Sequence, residues 1–426
     1  MNHGSDVAAA GLETSRAPDS LQGGGHIRRS ARLTRMPRPR VMIVLGTRPE
    51  AIKVAPVALA MRTMADRFDT VMCSTGQHRE LLVDALRPFG LTPDLDLDLM
   101  EPGQELADLT ARALTGLDAA YQAFRPDLVL VQGDTTTAFA GALAAYYRQI
   151  PVAHLEAGLR TNDIHDPFPE EANRRLVSRL ATVHFAPTAR AARQLSREGF
   201  SGRDIVVTGN TVIDALLIIH GRSSIGEAVV PAGTDGRSIL VTMHRRESYG
   251  APFESICRAI TSIADRYPTI EFVLPVHPAP NVHDPVHDLL GAHPRIRLIE
   301  PLPYPEFVAT LSRSHFVLTD SGGIQEEAPA LAKPVLVMRN TRERPEGISA
   351  GTARLVGTST GRIVEAAEEL LDDPAAYARM ARAVNPFGDG RAAERVVHAL
   401  SYRYGYTDAP PDAFIDAARP ETVTAQ

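Results

Sequence analysis

"VMIVLGTRPEAIKVAPVALAMRTM", residues 41–64, decides the fold. Its opening run, "VMIVLG" (41–46), is apolar without alternation, the pattern of a strand buried on both faces. Gly46 permits a tight turn, and Pro49 suits the first turn of a helix running "PEAIKVAPVALAMRTM" (49–64). Strand, turn and helix in that order are the opening of a βαβ unit.

The same unit recurs outward from it. "DTVMCST" (69–75), "DLVLVQG" (127–133), "PVAHLEA" (151–157), "TVHFAP" (182–187) and "DIVVTG" (204–209) read as strands with helices between them. The texture changes after "NTVIDALLIIH" (210–220): residues 221–236 are rich in Gly, Ser and Pro and mark a boundary. The rhythm restarts in "SILVTMH" (238–244), "IEFVLPVH" (270–277), "RIRLIEP" (295–301), "HFVLTDSGG" (315–323) and "PVLVMRN" (334–340). Such alternation predicts an α/β chain with parallel sheets, here two Rossmann-like domains in tandem facing across a cleft. Ligands of such sheets sit outside the carboxyl ends of the strands.

Composition narrows the function. The 426 residues carry a net charge of −6, unevenly spread. Residues 1–40 hold seven arginines against three acids, so the remainder is more acidic still, which disfavours a nucleic-acid binder. That arginine-rich start has no strand or helix period and no signal-peptide core, and it reads as a disordered tail; Met36 stands as an alternative start just before the first strand. No run of about 18 apolar residues predicts a membrane span. Two distant cysteines, Cys73 and Cys257, exclude a disulfide framework and point to a reducing, cytoplasmic setting. Of 45 basic residues only Lys53 and Lys333 are lysines, a hint that lysine is kept where a compact point charge is required.

Six polar clusters fall at strand ends. "LGTRPEAIK" (45–53) places Arg48 and Lys53 near a helix start, as diphosphate contacts or as solvated helix charges. It lacks the glycine spacing of a Walker loop or a dinucleotide fingerprint, so no NAD is predicted. In "QGDTTTAFAG" (132–141) Asp134 reads as a helix cap or as a catalytic acid. In "HLEAGLRT" (154–161) Glu156 follows a buried run; burial would raise its pKa and suit it to proton transfer, the alternative being a salt bridge to Arg160. "DPFPEEANRRL" (166–176) puts Glu170, Asn173 and Arg174 on one helix face. "VTMHRRE" (241–247) gathers His244 with Arg245 and Arg246, as surface charge or as partners for an anionic leaving group. In "TDSGGIQEEAP" (319–329) Ser321, Gly322 and Gly323 offer a hydroxyl and amides to phosphate, while Glu327 lies a turn further on. A carboxylate there accepts two hydrogen bonds from a vicinal diol, so turn and glutamate together fit a nucleoside diphosphate: the turn for phosphate, Glu327 for ribose.

Two lures are set aside. "PDLDLDL" (93–99) has the D-x-D spacing of some metal sites, but its alternation puts Leu95, Leu97 and Leu99 on one face of a half-buried strand. "HDPVH" (283–287) pairs two histidines, but Pro285 argues against a helical zinc motif.

"GTRPEAIK", "GQHRE", "GDTTT", "HLEAGLRT", "PFPEEANRR", "TGNTVIDAL", "HRRES", "TDSGGIQEEAP", "KPVLVMR" and "ERPE" follow the order found in the non-hydrolysing UDP-N-acetylglucosamine 2-epimerases. The chain resembles that family from about residue 41 to 402. The resemblance implies a glycosyltransferase-B-like fold, a homodimer, no metal and no cofactor. It implies domains at 41–220 and 237–385, a helix at 386–404 packing back toward the first domain, and tails at 1–40 and 405–426. It implies interconversion of UDP-GlcNAc and UDP-ManNAc by eliminating UDP to leave 2-acetamidoglucal and adding UDP back, which supplies ManNAc for surface polysaccharide. Asp134, Glu156 and Glu170 match the catalytic carboxylates and His244 the catalytic histidine. Arg48 and Lys53 match contacts near the sugar and phosphates; Ser321, Gly322, Gly323 and Glu327 match the UDP contacts; Phe307 falls near the uracil and Arg344 near the nucleotide. Gln77, Arg245 and His277 match a second, regulatory UDP-GlcNAc site of some bacterial members, although Ala279 stands where the family usually carries asparagine.

Three rivals share parts of this pattern. A hydrolysing 2-epimerase would release UDP and free ManNAc. A glycosyltransferase on the same fold would need an acceptor groove. A sugar-nucleotide sensor would have no need of three carboxylates and His244.

Overall fold

The structure, a computed structural model, describes residues 38–415 apart from 77–78, 100–102, 162, 223–236, 244–249, 278 and 342–343. The first lobe runs β1 (Arg40–Leu45), α1 (Arg48–Thr63), β2 (Asp69–Ser74), α2 (Arg79–Leu86), β3 (Leu95–Asp96), α3 (Leu106–Phe124), β4 (Leu128–Gln132), α4 (Thr136–Tyr147), β5 (Val152–Leu155), α5 (Glu170–Leu180), β6 (Val183–Ala186), α6 (Ala189–Arg197), β7 (Ile205–Val207) and α7 (Thr211–Gly221). The second runs β8 (Ser238–Thr242), α8 (Ala251–Arg266), β9 (Glu271–Pro275), α9 (Pro280–Leu290), β10 (Ile296–Ile299), α10 (Tyr304–Arg313), β11 (Phe316–Thr319), α11 (Gly322–Ala330), β12 (Val335–Val337), α12 (Pro345–Ala350), β13 (Ala353–Leu355), α13 (Thr360–Asp372) and α14 (Pro374–Ala381). A last helix, α15 (Ala392–Arg403), follows.

Each lobe holds one parallel sheet, ordered β3-β2-β1-β4-β5-β6-β7 and β10-β9-β8-β11-β12-β13. The two-domain α/β reading is therefore the observed fold. The apolar runs explain it: every residue of β4 and all but the first of β1 are buried, as strands covered by helices on both faces must be. Strand order reverses between β1 and β4 in one sheet and between β8 and β11 in the other. Those are the switch points where a doubly wound sheet leaves a crevice for ligand.

The lobes do not stand apart. One apolar cluster joins Val54, Val57 and Met61 of α1 with Leu216 of α7, Val317 of β11 and Val397 of α15. Asp214 of α7 accepts the amides of Ala392 and Ala393, seating the start of α15 on the first lobe. Past 404, where the sequence reads as a tail, Tyr406 packs edge-on against Phe68, and the amide of buried Phe414 donates to the Val207 carbonyl. Aromatic side chains give that segment a reason to stay down that its polar, Pro-rich composition hides.

Three local readings differ from expectation. β3 is two residues long, and Asp98 adopts φ +49°; Leu97 and Leu99 still share a face, packed over Gly116. Pro285 does not prevent a helix: α9 runs through it and brings His283 against His287, the rings tilted with centroids 4.2 Å apart. β13 lies in a three-residue stretch too short to show a period.

Candidate active site

The carboxyl ends of β1, β4 and β5 and the turn before α11 line one cleft of about 890 Å³, open between the lobes. Arg48, Lys53, Asp134, Glu156, Glu170, Phe307, Ser321, Gly322, Gly323, Glu327 and Arg344 all line it. His244, Arg245 and Gln77 lie outside the described residues. His277 is exposed past β9 and is not among the residues lining the cleft.

The two helix starts that bracket the cleft differ in the polar groups they leave open. At α1, Thr47 is the N-cap of a capping box: Glu50 Oε2 accepts the amides of Gly46 (3.0 Å) and Thr47 (2.7 Å), and the Glu50 amide turns back to Thr47 Oγ1. Thr135 adds its hydroxyl to the other Glu50 oxygen at 2.6 Å. Burial raises the Glu50 pKa, and these hydrogen bonds oppose the rise. Two amides of this turn, those of Gly46 and Thr47, are thus taken by the chain's own carboxylate, and α1 offers the cleft the side-chain cations Arg48 and Lys53. Gly46 is required here by packing: a Cβ would sit 2.3 Å from Thr137 Oγ1 and 2.5 Å from Thr75 Oγ1. At α11 the N-cap Ser321 makes no side-chain cap bond, so the helix start faces the cleft with its amides available.

Asp134 is not a helix cap. Thr135 caps α4, accepting the Ala138 amide, and leaves the aspartate turned into the cleft. Arg174 of α5 meets its Oδ2 at 2.5 Å, and Asn173 donates to its carbonyl. Glu170, Asn173 and Arg174 thus share one helix face, as their spacing predicts, and that face is the one turned to Asp134. Burial pushes the Asp134 pKa up in spite of Arg174.

Glu156 departs from expectation. It sits at φ +64°, a left-handed backbone that costs a side-chain-bearing residue about 1–2 kcal/mol. Its carboxylate over-determines that geometry: Lys53 Nζ at 2.5 Å, Gln132 Nε2, and Asn210 Nδ2 at 3.2 Å all donate to it. Burial alone would raise its pKa, but the charge and hydrogen bond of Lys53, helped by Arg344 and Asn210, outweigh burial and lower it. The expected rise is therefore corrected to a fall. Nor does Arg160 pair with it; Arg160 makes a two-pronged bridge to Glu198. Lys53 is desolvated too, yet Glu156 and Glu326 lift its pKa and keep it charged.

Asn210 carries this network across the cleft. As N-cap of α7 it accepts the Val212 amide on Oδ1, which fixes which way the amide faces. Nδ2 then points at Glu156 of one lobe and, at 2.6 Å, at Glu326 of the other. Glu326 is paired in turn with Arg344 at 2.5 Å. Arg48 also crosses, donating to the Leu302 carbonyl at 3.1 Å. Glu327 is buried below Ser321 and Gly323, with the Tyr304 hydroxyl donating to it at 2.9 Å. Burial pushes its pKa up to about 7, Tyr304 opposing and Glu326 adding to the rise.

Gln132, Asn210 and Tyr304 were not singled out in the sequence. Asn210 carried only the signal of a helix cap, and Gln132 and Tyr304 none beyond adjacency to a motif. Among the described residues no group of three or more His, Cys, Asp or Glu is placed to hold a metal, and no helix is long and apolar enough to cross a membrane.

Residues 60–401 match the family model described as UDP-N-acetylglucosamine 2-epimerase. A protein of Ralstonia solanacearum, described as a probable UDP-N-acetylglucosamine 2-epimerase, is 52% identical over 369 residues, covering 85% of this chain and 98% of its own. The UDP-N-acetylglucosamine 2-epimerase of Escherichia coli K12 is 50% identical over 369 residues, with the same coverage of both chains. The crystal structure of UDP-GlcNAc 2-epimerase from Neisseria meningitidis bound to UDP-GlcNAc superposes with a TM-score of 0.80 at 46% identity, over 85% of this chain and all of that one.

Proposed function

The chain belongs to the UDP-N-acetylglucosamine 2-epimerase family, and we propose that it interconverts UDP-GlcNAc and UDP-ManNAc by eliminating UDP and adding it back, without hydrolysis. The observation that carries the reading is the division of the cleft. Three carboxylates from separate elements of the first lobe face a helix start with available amides and a buried glutamate in the second.

The amides of α11 and the Ser321 hydroxyl receive phosphate, and Glu327 receives the ribose hydroxyls, so the sugar projects toward Asp134, Glu156 and Glu170. A C2 proton is not acidic by itself, so its removal must accompany cleavage of the C1–O bond. The electron pair of the broken C2–H bond becomes the C1–C2 double bond of 2-acetamidoglucal, and that of the C1–O bond leaves with UDP. Asp134 and Glu156 differ in the way such a two-faced proton transfer needs. Glu156 is held ionised by Lys53, Gln132 and Asn210, whereas burial biases Asp134 toward its protonated form. In this assignment Glu156 takes the proton from one face of C2 and Asp134 returns one to the other, while Glu170 completes the carboxylate wall. Lys53 and Arg48 offset charge as the diphosphate departs, and His244, which matches the family's catalytic histidine, adds to them. The same reading makes the enzyme a cytoplasmic homodimer that needs no metal or cofactor and supplies ManNAc for surface polysaccharide.

The test is proton NMR of the purified enzyme with UDP-GlcNAc in deuterated water. Growth of UDP-ManNAc with deuterium entering C2 is the expected result. Free ManNAc with UDP would make the enzyme a hydrolysing one, and no change at C2 would leave a transferase or a sensor.

A further inference from the structure

Beyond Leu159, which also lines the catalytic cleft, a second cavity of about 770 Å³ opens between α5, α6 and the start of α12. Six arginines line it, Arg160, Arg175, Arg179, Arg190, Arg193 and Arg197, against two glutamates, Glu198 and Glu346. The chain as a whole is acidic, so this is a local concentration of cations. Helix geometry makes it: Arg175 and Arg179 are one turn apart on α5, as are Arg193 and Arg197 on α6. Like charges at that spacing repel and weaken a helix, an arrangement that a bound anion would relieve.

The roles of five of them divide, and the sixth, Arg190, is not free. Arg160, with a side chain 6% exposed, is spent on structure: it bridges Glu198 with two hydrogen bonds and reaches Ser178, fastening α5 to the end of α6. The gap between the two arginine rows is thereby fixed. Arg175 gives Nε to Glu171 and one amino group to the Thr161 carbonyl. Arg179 lies over the Phe200 ring, its guanidinium carbon 4.7 Å from the centroid. Arg193 and Arg197 make no hydrogen bond or ion pair with the described residues. Glu198 does not neutralise them, since it is held by Arg160, and Glu346, which accepts from the uncharged Thr188 hydroxyl at 3.1 Å, offsets one positive charge at most.

We propose that this cavity is a second ligand site, which takes a compact multivalent phosphate. Several planar guanidinium forks around one concave space suit phosphate oxygens, which they can grip two at a time. The volume suits a small molecule. No aromatic ring lines the cavity for a base to stack on, so recognition falls on the phosphate chain, whether inorganic or the tail of a nucleoside triphosphate.

The test is calorimetry at constant ionic strength. UDP is titrated first; its failure to bind would count against the catalytic reading and not against this site, because Arg193 and Arg197 do not line the cleft. Sodium tripolyphosphate is then titrated into the UDP-treated wild type and into Arg193→Ala/Arg197→Ala. The expected result is one saturable site per chain in the wild type, weakened at least tenfold in the double variant, with UDP affinity unchanged. Arg193→Lys/Arg197→Lys, which keeps the charge but loses the fork, should fall between the two. ATP binding more tightly than tripolyphosphate at this site would name a nucleotide as the natural source, and weaker binding an inorganic one. No saturable binding to the wild type, or binding undiminished in the double variant, would overturn the proposal.

Discussion

Replacing Glu327 with glutamine separates what that carboxylate does for a ligand from what its burial does to the fold. The side chain keeps its size, and the Tyr304 hydroxyl can still donate to it. Only the charge is lost. In the folded chain the carboxyl titrates at about 7, against 4.5 for an unperturbed glutamate, with burial the main cause. The native state therefore holds a proton on Glu327 between those two values that the unfolded chain releases. Native stability is unpenalised below pH 4.5, is lost progressively as pH rises through the window, and carries the full penalty above pH 7. A shift of that size corresponds to about 3 kcal/mol. Glutamine has no such penalty. Glu327→Gln should therefore match the wild type near pH 4.5 and exceed it by about 3 kcal/mol at pH 8. With an unfolding entropy of about 2 cal/mol/K per residue, that gain is about 4 °C in Tm for a folded body of this size.

The ligand should show the opposite. A ribose diol donates to the ionised carboxylate, and exchanging charged hydrogen bonds for neutral ones costs about 1–3 kcal/mol, or roughly 5- to 150-fold in UDP affinity. Wild-type affinity should also carry a proton term, weakening up to about tenfold per pH unit below pH 7, as Glu327 must lose its proton before the diol can bind. Thermal unfolding of both proteins from pH 5 to 8.5, with UDP titrations at the same values, reads all three effects. Parallel Tm curves would show that Glu327 does not carry the burial penalty, and a UDP affinity and pH slope unchanged in the variant would show that it does not meet the nucleotide.

Three further outcomes are expected. Glu156→Gln should still bind UDP within a few-fold but epimerise about 10³-fold more slowly, general acid–base steps being worth 10²–10⁴; near-normal turnover by NMR would remove Glu156 from catalysis. Asn210→Asp keeps the cap on Val212 and turns a carboxylate toward Glu156 and Glu326, so about 3 kcal/mol of stability should be lost at pH 8 and regained toward pH 5 as the cluster takes up a proton; a loss in denaturant titrations that did not vary with pH would refute the bridge. Gly46→Ala should destabilise by about 1–3 kcal/mol through overpacking against Thr75 and Thr137, seen as a lower Tm; an unchanged Tm would mean the two hydroxyls can move aside.

Much of the frame was legible because burial leaves a signature in the chain. A strand covered on both faces must be apolar throughout, so β1, β4 and β11 could be read directly, and the polar residues at their ends could be read as a site. Of the two lysines that stood out by rarity, Lys53 pairs with Glu156. What the sequence could not supply is competition for a partner. "GTRPE" and "DSGGIQEE" both look like helix starts waiting for an anion, and each has glutamates nearby. In one, Glu50 stands at the third helical position and folds back onto the amides, while in the other Glu327 lies too far along α11 to do so. That spacing is visible in the sequence, but its meaning depends on Thr135 arriving from another strand end to satisfy the second oxygen of Glu50. Glu156 shows the same limit. Its burial was foreseen, and burial by itself argues for a raised pKa. Whether that rise survives depends on Lys53, Gln132 and Asn210, donors from α1, β4 and the start of α7 that only the fold brings to one carboxylate. The sign of a buried charge is thus a property of the tertiary structure, and a sequence can name the carboxylate before it can say which way its proton goes.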